Sequence, residues 1–77
     1  MKITVRFAGP IRRPWPEESR TLELAEGADV GALLAGLGYS PEESRRIIAV
    51  VQGEKKTLFH VLSDGDEIRL LLLAGGG

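Results

Sequence analysis

The stretch with the clearest chemical potential in this 77-residue chain is Gly75-Gly76-Gly77. It follows directly on the apolar run Ile68-Arg69-Leu70-Leu71-Leu72-Leu73-Ala74. Glycine reaches backbone conformations closed to other residues, and its lack of a side chain leaves nothing to obstruct a narrow channel. Three glycines reach about 10 Å when extended. A carboxylate at the tip of such a tether can be fed into another protein's active site while the folded body stays outside. The plainer reading is a frayed terminus or a cloning remnant. Direct attachment of the glycines to the last predicted strand favours the functional one.

Other groups offer less. His60, Ser63 and Asp64 are the only neighbouring Ser/His/Asp set, and they fall in turn chemistry with no glycine elbow and no oxyanion-hole pattern. The carboxylate pairs Glu17-Glu18, Glu42-Glu43 and Asp66-Glu67 are adjacent in sequence, so on a regular element their side chains diverge. With no cysteine and a single histidine, a metal site is not expected. The residues thus hold no catalytic set and no sign of a bound cofactor, and they do not suggest an enzyme.

The elements that would position the glycines can be read from the pattern. Ile3, Val5 and Phe7 alternate with Lys2, Thr4 and Arg6, the period of a half-buried strand. Residues 8–20, with Pro10, Pro14 and Pro16 around Trp15, form a long connection to a second strand at 21–24. Asp29 is a candidate helix N-cap ahead of the stripe Val30, Leu33, Leu34 and Leu37, and Gly38 closes that helix. Gly31 and Gly36 weaken it by about 1 kcal/mol each relative to alanine. Ser40-Pro41-Glu42-Glu43 is a capping box opening a short helix to about Arg46. A third strand follows at 47–51, a weak strand region around Leu58, Phe59 and Val61, and a last strand at 68–73. The expected fold is α+β: a mixed sheet of four to five strands, first and last strands side by side in the middle, and one main helix on one face. That is the β-grasp arrangement. Residues 1–74 are expected to form the domain and 75–77 a flexible tail.

One covering helix leaves the other sheet face open. Alternation sends Leu71 and Leu73 to that face, near residues among Ile47, Ala49 and Val51, and makes Leu71, Leu73 and Ala74 a candidate partner-binding patch. Trp15 reads as a lid over the sheet edge in preference to an interface anchor. Ten basic and eleven acidic residues are mixed along the chain, and the basic pairs Arg12-Arg13, Arg45-Arg46 and Lys55-Lys56 lie near glutamate or in turns. Charge steering and nucleic-acid binding are not indicated. No segment has the length of a membrane span, and MKITVRF reads as a strand rather than a signal peptide. The expectation is a cytoplasmic protein, monomeric when free.

These residues resemble the MoaD/ThiS family of ubiquitin-like sulfur carriers, the small subunit of molybdopterin synthase and the thiamine-pathway carrier. The resemblance rests on the strand 2–7, the helix stripe, Ala49-Val50-Val51-Gln52-Gly53-Glu54, Asp64-Gly65-Asp66-Glu67-Ile68 and the terminal glycines. It implies a C-terminal carboxylate adenylated by an E1-like enzyme at the cost of ATP. A sulfurtransferase or cysteine desulfurase then supplies sulfur to make a thiocarboxylate. The acceptor would be a synthase of molybdopterin large-subunit or thiazole-synthase type. Gly77 would carry the chemistry, with Gly75 and Gly76 as the threading segment, unless trimming exposes Gly76. The leucine run replaces the aromatic and prolines usual in molybdopterin-type carriers, while the 8–20 connection exceeds the compact thiamine type, so the subgroup stays open. A ubiquitin-like modifier conjugated to lysines through the same glycine is the alternative.

Overall fold

Alternating Ile3, Val5 and Phe7 make β1 (Lys2–Ala8), whose buried residues face the core while Lys2 and Arg6 face solvent. In a computed structural model of the chain, residues 1–72 are described. The connection 9–18 returns the chain to β2 (Ser19–Glu23), antiparallel to β1 with Ile3 opposite Leu22. Next come α1 (Val30–Gly36), α2 (Pro41–Arg46), β3 (Ile47–Val51), β4 (Glu54–Lys56) and β5 (Glu67–Leu72). The strands form one mixed sheet in the order β2-β1-β5-β3-β4. Its centre is the parallel pair β1–β5, as expected of a β-grasp fold.

Local signals start and stop these elements. The Asp29 carboxylate accepts from the Ala32 N–H at 2.8 Å, and Gly38, at φ +93°, closes α1. Ser40 and Glu43 form the reciprocal capping box of α2. Gln52 and Gly53, both at positive φ, make the two-residue turn between β3 and β4. The core lies between α1 and one sheet face, where Val30, Leu33 and Leu34 meet Ile3, Val5, Ile68 and Leu70.

Three expectations need correction. The strand region at 55–61 is only β4 (Glu54–Lys56) plus an isolated bridge between Asp29 and Val61. Beyond it the backbone serves the helix instead: the Leu58 and His60 carbonyls accept from Gly31 and Val30 at 2.9 and 3.0 Å. These bonds satisfy N–H groups that a helix start leaves orphaned, and Phe59 is left 84% exposed. Gly31 is also more than a weak point, since a Cβ there would lie 3.3 Å from the Leu58 carbonyl oxygen. Finally, Ile47, Ala49 and Val51 are buried on the core face, so the β3 residues on the open face are Ile48 and Val50.

Candidate functional site: the sheet end that leads to the glycines

Strand β5 is held on both sides up to Leu71, in parallel register with β1 and antiparallel register with β3, and Leu72 is paired with β3 alone. Leu71 lies between Ala8 and Ile48 in register, so these three half-buried apolar residues form one row across the open face. Next to it runs the row Arg6, Arg69 and Val50. Arg6 reaches Glu67 at 2.8 Å, and this bond, with the charge of Glu67, raises its pKa above the ordinary arginine value.

Leu72 points to the other side. It lines a cleft of about 250 Å³ with Ile11, Arg12, Tyr39, Glu43, Arg46 and Ile47. One wall is fixed by a cluster that sequence reasoning missed. Arg12 bonds Glu43 at 3.0 and 3.2 Å and the Gly38 carbonyl at 3.3 Å, and its guanidinium sits 4.8 Å from the Tyr39 ring centre. The Tyr39 hydroxyl donates in turn to the Arg12 carbonyl. Arg12 and the Ser40 N–H together hold the Glu43 carboxyl below its usual range, and burial pushes the Tyr39 hydroxyl up. The 9–18 connection is thereby pinned to the helices beside the root of the glycine segment.

Trp15 packs edge-on against Phe7, centroids 5.3 Å apart, and the Arg20 guanidinium sits 4.6 Å from the centre of its ring. This is the structural role expected of it. His60, Ser63 and Asp64 serve as turn and strand-end residues. Asp64 accepts from the Lys2 N–H at 2.7 Å, the Ser63 N–H donates to Asp66, and the His60 N–H bonds the Thr57 carbonyl. Among the described residues, no three His, Asp or Glu side chains gather as a metal site, and no helix is long and apolar enough to cross a membrane. Of the predicted patch only Leu71 is described; Leu73, Ala74, Gly75, Gly76 and Gly77 lie outside the described residues.

With this geometry in hand, comparison with known proteins decides the family. The ThiS family model matches residues 5–77. The chain belongs to the ThiS family. No curated protein sequence matches it. Its fold is that of SAMP1, the small archaeal modifier protein 1 of Haloferax volcanii, at a TM-score of 0.75 and 22% identity over 100% of both chains. It is likewise that of a putative molybdopterin converting factor subunit 1 from Pyrococcus furiosus (TM-score 0.74, 20% identity, 92% of this chain and 95% of that one). A structure from Helicobacter pylori is 30% identical over 100% of both chains, with a TM-score of 0.66. It is a protein–protein complex of subunits 1 and 2 of molybdopterin-converting factor. This ThiS-family chain is therefore of the ThiS/MoaD ubiquitin-like sulfur-carrier type.

Proposed function

We propose that this ThiS-family protein carries sulfur as a thiocarboxylate on its terminal glycine and donates it in molybdopterin- or thiamine-type cofactor synthesis. The observation that carries the reading is the position of β5. A strand clamped between two neighbours is followed in sequence by Leu73, Ala74 and three glycines, in a chain that matches the ThiS family through residue 77. The body of the domain is a rigid handle and the glycines are the part a partner can grip.

The chemistry asks for a partner, because a carboxylate resists nucleophiles until one oxygen becomes a good leaving group. An E1-like enzyme would join the terminal carboxylate to the α-phosphorus of ATP, releasing pyrophosphate. The outer sulfur of a persulfide on a sulfurtransferase or cysteine desulfurase would then displace AMP. A thiol cleaves the resulting acyl disulfide, leaving the thiocarboxylate and a disulfide. The protein supplies the acyl group and the handle; ATP stays with the activating enzyme. The acceptor synthase would dock on the open face around Leu71, with Leu73 and Ala74 extending the patch. The Helicobacter pylori complex supports a synthase subunit as partner.

Exchange of labelled pyrophosphate into ATP tests the activation step. The cognate E1-like enzyme should catalyse it with the full chain and lose it when Gly76 and Gly77 are deleted. Exchange undiminished by that deletion would remove the glycine from the mechanism. A second reading, a modifier joined to lysines, is favoured by the structural likeness to the small archaeal modifier protein. It shares activation and differs in acceptor: denaturing pull-downs would then show a ladder of adducts that vanishes with the same deletion.

A further inference from the structure

The charges mixed along the sequence are sorted in space. The row Val5, Ile68, Val51 and Glu54 divides the sheet, with Arg20 and Glu54 upon it. Towards Leu72 lie Arg6, Arg12, Arg13, Arg45, Arg46, Arg69, Lys55 and Lys56, against Glu17, Glu18, Glu42 and Glu43. Away from it, only Lys2 and the N-terminal ammonium of Met1, which pairs with Glu23 and Glu26, stand against Glu23, Glu26, Asp29, Asp64, Asp66 and Glu67. A chain of net charge -1 thus has one basic pole, the end that leads to the glycines.

Fold stability does not account for this sorting. Arg6 and Arg69 are direct register partners, and like charges side by side on a sheet are destabilising. Arg13 joins them around a recess of about 360 Å³ that also meets Ala8, Gly9 and Glu18. Glu67 answers Arg6, whereas Arg13, Arg46 and Arg69 have no ion-pair partner among the described residues. Those three flank the root of the glycine segment. Arg69 shares the open face with Leu71, Arg13 stands beyond the end of β1, and Arg46 lines the cleft with Leu72.

We infer that Arg13, Arg46 and Arg69 form a docking collar for a carboxylate-rich rim around the channel of the protein that receives the glycines. The inference rests on the proposed carrier reading and deepens it by giving the partner's chemistry. A protein surface fits better than a nucleic acid. The Ala8–Leu71–Ile48 row beside the collar suits an apolar protein contact, which a phosphate backbone would not offer. Complementary charge of this kind acts on encounter, so it governs the rate of association and its salt dependence more than the chemistry that follows.

The test has two arms. In pyrophosphate exchange with the activating enzyme, the triple variant R13E/R46E/R69E should raise KM about tenfold or more at low salt with kcat retained. The salt dependence of the wild-type KM should flatten in the triple variant, and K2E at the opposite pole should match wild type. Equal KM and equal salt dependence in wild type and triple variant would overturn the collar, as would a K2E effect of the same size. No exchange with the wild type would overturn the carrier reading instead. The second arm needs no enzyme: the ¹⁵N-labelled full chain is titrated with a poly-glutamate peptide and, separately, with oligouridylate. Poly-glutamate should shift the amides of Arg13, Arg46 and Arg69. No shift there, or tighter binding of the oligouridylate, would overturn the proposal.

Discussion

Leu72 lies directly opposite Ile47 in the antiparallel ladder between β5 and β3. Ile47 is the first residue after α2, whose Glu43 is tied to Arg12 of the 9–18 connection. The root of the glycine segment therefore rests against three elements that hold one another. This is how a domain with a modest core can offer a firm handle beside a segment without side chains.

The handle depends on β5 being a core strand. Leu70 is fully buried between Phe7 and Ala49 in register. Leu70→Ala should cost about 2–5 kcal/mol in urea unfolding, through lost transfer energy and the cavity left behind. A cost below about 1 kcal/mol would mean that β5 is not packed as described.

One residue on, the consequence reverses. Leu71 faces away from the core, in the row with Ala8 and Ile48. Leu71→Thr keeps a side chain suited to a strand, so stability should change by less than about 1 kcal/mol. Affinity for the activating enzyme or synthase should fall by about 1–2 kcal/mol, roughly five- to thirtyfold in Kd. Unchanged affinity in titration calorimetry would take Leu71 out of the docking face.

The two glycines of α1 should respond oppositely to alanine. At Gly36 a Cβ meets nothing within 4 Å, so Gly36→Ala should stabilise by about 0.5–1 kcal/mol. At Gly31 a Cβ would crowd the Leu58 carbonyl that caps the helix start, which should cancel or reverse that gain. Equal stabilisation by both substitutions would show that the 57–61 loop does not grip the helix.

Acid should loosen the wall of the cleft. The side-chain bond to Arg12, then the backbone bond to Ser40, hold the Glu43 pKa below its usual value of 4.5. A depressed carboxyl contributes stability that is fully present above that usual value and lost as pH falls through the depressed one. The Tm of Glu43→Gln should therefore lie below that of wild type at neutral pH, and the gap should close as pH falls below 4.5. A gap that stays constant into strong acid would place its origin elsewhere.

Much of this was legible in the residues. Alternation at Ile3, Val5 and Phe7, the stripe from Val30 to Leu37 and the Ser40–Glu43 box each report a local period or cap, and each is found where its signal lies. Leu58, Phe59 and Val61 have the apolar content of a strand, but the carbonyls of Leu58 and His60 serve α1 instead. The neighbours of Leu71 were misassigned because strand register fixes them, and a slip of one residue exchanges the two faces. The basic pole was illegible for a related reason: Arg13, Arg46 and Arg69 are far apart in sequence, and only strand pairing and the 9–18 connection bring them round one end. The glycines themselves announce a tether but not what is attached to it.

The most direct test of the account is the intact mass of the full chain after incubation with the cognate E1-like enzyme, ATP and a persulfide-forming sulfur donor. The expected gain equals one oxygen-to-sulfur exchange, located on the terminal glycine and absent when Gly76 and Gly77 are deleted. An unchanged mass under conditions where the same enzyme charges another carrier would contradict it.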